Sequence, residues 1–273
     1  MRKIMRHTKT ALLGLAIGLI AVLPAAAQEE ANTERLPPKA VSFSFEGPFG
    51  TYDRGALQRG YQVYKEVCAA CHSADHLAFH NLMEEGGPGF TEAEVRALAA
   101  QARVPAGPDE QGNTTDEKGQ PLMRPATLAD YFPKPFANEE AARANNGGAL
   151  PPDLSMIVKA REGGPEYVYS ILTGFHEDPP AGFKVVDGKY YNPYFEGRNI
   201  SMPPPLVANG VTYSDGTKAT IDQEAHDVTT FLTWAAEPKM EDRKRMGFGV
   251  LIFLIALAGV LFAAYRKVWK DAH

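Results

Sequence analysis

Apolar residues recur at three- and four-residue intervals between Asp53 and Val67, at Leu57, Tyr61, Tyr64 and Val67, which predicts an amphipathic helix. A second short helix is expected from Thr91 to Arg103, opened by Thr91 as cap with Glu94 at the capping-box position. Asp153 to Arg161 and Pro165 to Leu172 read as two more, split by Gly163-Gly164. Thr220 or Asp222 caps a helix to Ala236, whose apolar face is Val228, Phe231, Leu232 and Trp234, and Pro238 stops it. Residues 104–155 are rich in Pro, Gly and Asn and read as loops with fragments of helix, long enough to suggest that they wrap a cofactor or partner. Between Thr173 and Pro205, strand-like pieces such as Phe183 to Val186 predict a small hairpin. The class is mainly α, with long loops and no internal repeat.

Two uncharged runs frame this pattern. Arg2, Lys3, Arg6 and Lys9 precede an apolar stretch from Ala11 to Leu23, followed by Pro24 and Ala25-Ala26-Ala27, the order of a secretory signal peptide. Its 13 residues would reach roughly 20 Å as a helix, short of a bilayer core of about 30 Å. Cleavage after Ala27 is expected. Met246 to Tyr265 runs 20 residues without a charge, flanked by Arg243, Lys244 and Arg245 on one side and Arg266, Lys267 and Lys270 on the other. That length spans a bilayer as a helix. The flanking charges are too balanced to orient it, so the export signal decides. The expected layout is a signal peptide (1–27), a periplasmic domain (28–242), a transmembrane anchor (246–265) and a cytoplasmic tail (266–273), single-pass in a bacterial inner membrane.

The exported part, residues 28–242, carries 18 Lys+Arg and 32 Asp+Glu, a formal charge of −14. A field of that sign repels nucleic acid and attracts basic protein partners. The chain has two cysteines, in Cys68-Ala69-Ala70-Cys71-His72. This is the C-x-x-C-H arrangement of c-type haem attachment. Two thiols three apart can add to two vinyl groups of one haem, and the adjacent histidine then lies beneath the iron. A thioredoxin-like pair would follow a strand, whereas the preceding stretch here reads as helix; a zinc site needs about four ligands, and there is no second cysteine pair. His76 and His80 continue a four-residue spacing from His72 but read as surface residues.

An electron carrier holds its iron with two protein ligands, whereas an open position invites oxygen or peroxide chemistry. Met83, Met123, Met156, Met202 and Met240 are the methionines of the exported part. Met156 reads as packing and Met240 lies beside the anchor. Met202 stands in Ile200-Ser201-Met202-Pro203-Pro204-Pro205, where prolines fix the backbone. Position alone leaves Met202 open against Met123 and Met83.

Further motifs follow in order: Tyr131-Phe132-Pro133-Lys134-Pro135, Gly148-Ala149-Leu150-Pro151-Pro152-Asp153-Leu154-Ser155, Asn192-Pro193-Tyr194-Phe195, Met202-Pro203-Pro204 and Thr233-Trp234-Ala235-Ala236-Glu237-Pro238. With the attachment pentad, they make the chain, from about Phe43 to the anchor, resemble the cytochrome c1 family. That family is the haem subunit of the quinol:cytochrome c oxidoreductase, the cytochrome bc complex. The resemblance implies a cytochrome-c-type fold around one covalent haem c, with Met202 as distal ligand, Arg161 on a haem propionate, and Tyr167 and Asn146 near the haem. One departure is the Gly147-Gly148 pair, where some relatives have a single Gly after two Asn, which bears on the register at Asn146.

The resemblance further implies an electron-transfer role inside an enzyme complex, with no independent catalytic chemistry on this chain. Electrons would pass from the Rieske iron-sulfur protein to a basic cytochrome c, with cytochrome b and membrane lipid as neighbours in a dimeric complex. Two other readings stand beside it: a membrane-tethered cytochrome c shuttle working alone, and a ligand-binding haem sensor or peroxidase with His72 alone on the iron.

Overall fold

The computed structural model describes residues 34–270; the expected signal peptide and the last three residues of the expected tail lie outside the described residues. Helix α1, Arg54–Glu66, begins where Asp53 accepts a hydrogen bond from the Ala56 N–H, and it buries Ala56, Leu57, Gly60, Tyr61, Val63 and Tyr64. Helix α2, Glu92–Ala100, starts at the predicted capping box between Thr91 and Glu94. A two-stranded antiparallel pair follows, β1 (Arg103–Pro105) with β2 (Met123–Pro125). Next come the short α3, Glu139–Asn145, and α4, Gly164–Thr173. A second pair joins β3 (Tyr190–Tyr191) to β4 (Asn199–Ile200). The chain then enters α5, Ile221–Ala236, capped by Thr220, and α6, Met240–Val268.

Helices α1 and α5 pack face to face and carry the centre of the main core, where Leu57, Val228, Phe231 and Trp234 lose all contact with solvent. Gly60 lets them approach. A Cβ at that position would overlap the Asp227 carbonyl oxygen and come within 2.7 Å of the Phe231 Cβ. Beside this crossing, the fully buried carboxylate of Asp227 is held bidentately by Arg59 (Nε 2.8 Å, Nη2 3.1 Å), which also reaches Asp215 at 2.8 Å. A buried charge keeps its place only when it is paired and hydrogen-bonded in this way.

Three expectations need correction. Residues 153–161 form successive turns rather than a helix, because the Asp153 side chain takes the Ser155 N–H and so competes with helical bonding. Met156 is accordingly exposed rather than packed. The hairpin near Phe183 lies further on, at 190–191 and 199–200, where Tyr190 faces Ile200. Phe183 to Val186 is irregular, and its Val186 N–H bonds the Asn199 side chain instead.

Among the described residues, α6 is one helix long and apolar enough to cross a membrane. Its first turns are tied to the domain. Met240 is buried, Glu241 accepts from the Tyr52 N–H and pairs with Arg54, and the Lys244 ammonium donates to the Phe45 and Gly50 carbonyls.

Gly60→Ala should lower the stability of the full chain by about 1–3 kcal/mol, as overpacking of a filled helix crossing does. Chemical unfolding in detergent would measure it, and an unchanged midpoint would contradict the close-approach role given to this glycine.

Candidate haem site

Helix α1 delivers the chain into a tight 3-10 turn, Cys68–Ala70, in which the Cys71 and His72 N–H groups both donate to the Cys68 carbonyl. Both cysteines are free thiols. Cys68 and Ala69 pack against the main core, and burial, with Cys71 nearby, pushes the Cys68 thiol up to about 12. The His72 imidazole is half-buried, and its Nδ1–H donates to the Pro152 carbonyl at 2.8 Å. That bond assigns the proton to Nδ1 and leaves the lone pair on Nε2, the nitrogen through which such an imidazole could ligate a metal. Burial holds the imidazole below its ordinary pKa, partly offset by the Pro152 carbonyl and Asp153.

The Pro152 carbonyl is itself held in place. Asp153 accepts from the Ser73 hydroxyl at 2.7 Å and the Asp75 N–H at 2.8 Å, the Leu154 N–H bonds the Ser73 carbonyl, and the Ser155 hydroxyl takes the His76 N–H. Residues 73–76 are thereby zipped to 153–155. Although burial opposes it, these donors hold the Asp153 carboxyl below its ordinary value.

Met202 belongs to a second, smaller apolar cluster: Ile171, Tyr194 and Ile200 at its centre, with Tyr167, Phe175, Phe195 and Met202 packed around them. Helix α4 contributes to both clusters, Val168 and Leu172 to the main core and Ile171 to the second. The segment leading to Met202 is pinned by Asn192, which is fully buried. Its amide donates to the Ile171 carbonyl at 2.8 Å and its oxygen accepts the Tyr194 N–H. Gly174 makes room, since a Cβ there would lie 2.8 Å from the Asn192 oxygen and 2.7 Å from the Tyr194 ring. The irregular N-terminal stretch crosses the same segment. The Leu36 N–H bonds the Pro193 carbonyl, and Arg198, buried with a left-handed φ of 54°, donates to the Glu34 carbonyl.

The other sequence-derived candidates fall in different surroundings. Tyr167 is half-buried in the Met202 cluster; burial raises its hydroxyl, opposed by Arg161 and Arg35, the latter 5.4 Å over its ring. Arg161 is exposed and lies in a turn, not in the helix that the sequence suggested. Asn146 caps α3 and spends its amide on the Ala142 carbonyl, which joins it to its own helix. Met83 packs against the main core and Met123 is 43% exposed on β2. His76 and His80 are exposed. Sequence reasoning assigned no role to Asp153 or Asn192, although both stand in its quoted motifs, and it overlooked Arg35.

The donor set suits a haem c. Two free thiols on one turn precede an imidazole with one nitrogen oriented by a carbonyl, and a thioether stands in a separate apolar cluster to which α4 contributes Ile171. The imidazole and the thioether are groups that would ligate a haem iron, and the two thiols are groups that would bind the macrocycle covalently.

The family model described as "Cytochrome C1 family" matches residues 43–272. The chain is 44% identical to "Cytochrome c1" of Rhodospirillum rubrum, over 94% of this chain and 96% of that protein. It is 51% identical to "Cytochrome c1, heme protein, mitochondrial" of Saccharomyces cerevisiae, over 85% of this chain and 72% of that one. It is also 47% identical to "Cytochrome b/c1" of Bradyrhizobium diazoefficiens over 96% of this chain, but spans only 40% of that longer relative. The chain belongs to the cytochrome c1 family, the electron-transfer haem subunit of the cytochrome bc1 complex.

Asn192→Ala leaves one backbone carbonyl and one N–H buried without partners, so it should cost about 1–3 kcal/mol for each group. Denaturant unfolding of the full chain would reveal the loss. An Asn192→Ala protein as stable as the parent would contradict the pinning role.

Proposed function

We propose that this chain relays single electrons from the Rieske iron-sulfur protein to cytochrome c, as the haem subunit of a quinol:cytochrome c oxidoreductase. The observation that carries this reading is the Cys68–His72 turn with the His72 Nδ1 proton committed to the Pro152 carbonyl, in a chain of the cytochrome c1 family. When bound, the haem supplies one-electron redox chemistry at its iron.

In this reading Cys68 and Cys71 form the two thioether links, which fix the macrocycle against the end of α1. His72 ligates the iron through Nε2, and its hydrogen bond raises its basicity and sets the ring plane. Met202 would hold the iron together with His72, a role supported by its place in an apolar cluster pinned to α4, whereas Met83 is taken up by the main core and Met123 faces solvent. A His/Met pair keeps the coordination unchanged as the charge changes and raises the potential, suiting the high-potential branch of quinol oxidation. Tyr167, and Arg161 close enough to influence it electrostatically, are proposed for the haem edge, with Arg161 facing a propionate. Asn146 is retained as a neighbour of the haem only through the family resemblance.

The proposed layout keeps a cleaved signal peptide (1–27), a periplasmic haem domain (28–242), an anchor (246–265) and a cytoplasmic tail (266–273). Cytochrome b, the Rieske protein and membrane lipid are the proposed neighbours, in a dimeric complex. The ties from Tyr52, Arg54 and the 45–50 carbonyls to α6 make a fixed stalk, which favours a subunit held in a complex over a shuttle on a flexible linker.

Met202→Leu in membranes should lower the reduction potential and open the reduced iron to carbon monoxide. Redox titration and difference spectra would show both. If neither changes, the sixth ligand lies elsewhere and Met83 or Met123 takes its place. A second expectation concerns the acidic surface. Neutralising the exposed Glu110, Glu117, Glu139 and Glu140 to Gln should slow oxidation by a basic cytochrome c at low ionic strength and flatten its salt dependence. Stopped-flow rates across a salt series would measure it, and an unaltered salt slope would contradict electrostatic steering by these groups.

A further inference from the structure

The residue that stands out among the exposed apolar side chains of the haem domain is Phe49, which is 78% exposed at the tip of the turn between Phe45 and Thr51. Its ring is not free in space. It stacks on Phe248 of α6, with centroids 4.8 Å apart and planes within 14°. Phe248 is the third residue of the uncharged run that begins at Met246, so Phe49 is held about 3 Å past the start of that run. The turn cannot easily lift away, because Lys244, one helical turn before Phe248 on the same face, donates to the carbonyls on both sides of it, Phe45 at 2.6 Å and Gly50 at 3.0 Å.

A second aromatic pair marks the other end of the helix. Tyr265 and Trp269 lie 6.3 Å apart. Phe248 and Tyr265 are 17 positions apart, which is roughly 26 Å of helix and close to the thickness of a hydrocarbon core. Tyr and Trp at the far end are what a bilayer interface selects, and the wholly apolar Phe rings at the near end suit burial at the boundary between headgroups and acyl chains.

We propose that Phe49, carried on a loop of the haem domain and stacked on Phe248, inserts into the lipid interface of the leaflet nearest that domain. It thereby forms a second membrane contact beside the α6 helix. One helix alone leaves a domain free to tilt and spin about its axis. A lipid contact off that axis, clamped by Lys244, removes part of this freedom and sets the height of the haem domain above the membrane. The occupant is lipid, because the ring continues the surface of a membrane span at the depth where that span enters hydrocarbon.

The test uses the full haem-loaded chain in phosphatidylcholine vesicles, with single cysteines carrying an environment-sensitive fluorophore at Phe49→Cys, at Leu251→Cys within the span and at Gln111→Cys on the exposed 106–122 loop. Quenching is compared between a shallow nitroxide-labelled phosphatidylcholine and aqueous iodide. The expected result is that position 49 is quenched by the lipid nitroxide to within about twofold of position 251 and is shielded from iodide several-fold relative to position 111. Quenching at 49 that matches position 111 would overturn the proposal. So would shielding from both quenchers, which would mean that protein covers the ring. If position 251 itself follows iodide, the anchor reading fails, and the proposal with it. Pro48→Cys, which keeps the phenylalanine, serves as the reporter if the 49 variant loses its haem spectrum, and the same criteria apply to it.

Discussion

The hydrogen bond from His72 Nδ1 to the Pro152 carbonyl is the point on which the proposed chemistry depends. It joins two stretches eighty residues apart and decides which imidazole nitrogen faces a metal. Neither stretch could hold the other by that bond alone. The work is shared by Asp153, whose carboxylate collects donors from Ser73, Asp75 and Ser155, and by the Leu154 and Ser155 contacts on either side. Pro151 and Pro152 restrict the backbone there, so little conformational freedom remains to be lost when the histidine docks.

Helix α4 contributes to two apolar groups that differ in size and in what fixes them. The main core is held by close helix packing at Gly60 and by burial of large side chains. The Met202 cluster is too small to be self-sustaining, and it relies on polar pins instead: Asn192 on the Ile171 carbonyl, Arg198 on Glu34, and the Leu36 N–H on Pro193. The irregular N-terminal segment, through Glu34 and Leu36, is thus a structural part of the methionine side of the domain. The Met202 side chain thus packs in a cluster whose surrounding backbone is fixed by polar bonds, apart from the helix pair that leads into the Cys68–Ala70 turn.

Much of this was legible in the sequence wherever short-range patterns decide the structure. Periodicity places α1, the Thr91 and Glu94 capping box opens α2, and Thr220 opens α5, although the helix expected to reach Arg103 ends at Ala100 and Arg103 begins β1 instead. The misreadings came where long-range bonds override local preference. Residues 153–161 carry helical periodicity, yet Asp153 takes its own downstream N–H and a distant one, and the helix does not form. Phe183 to Val186 carries strand-forming residues, but the pairing goes to Tyr190 and Ile200, where the Asn192 N–H donates to the Arg198 carbonyl beside the ladder. Roles such as that of Asn192 depend on partners more than a dozen residues away, and no spacing rule announces them.

The central claim is that His72 and Met202 both ligate the iron of one haem. The most direct measurement is the near-infrared charge-transfer spectrum of the ferric native protein, taken together with carbon monoxide exposure of the reduced form. The account predicts the band of thioether-to-iron ligation and no carbon monoxide adduct. Absence of that band with rapid carbon monoxide binding would contradict it, and would make this a haem protein with an open coordination position rather than an electron carrier.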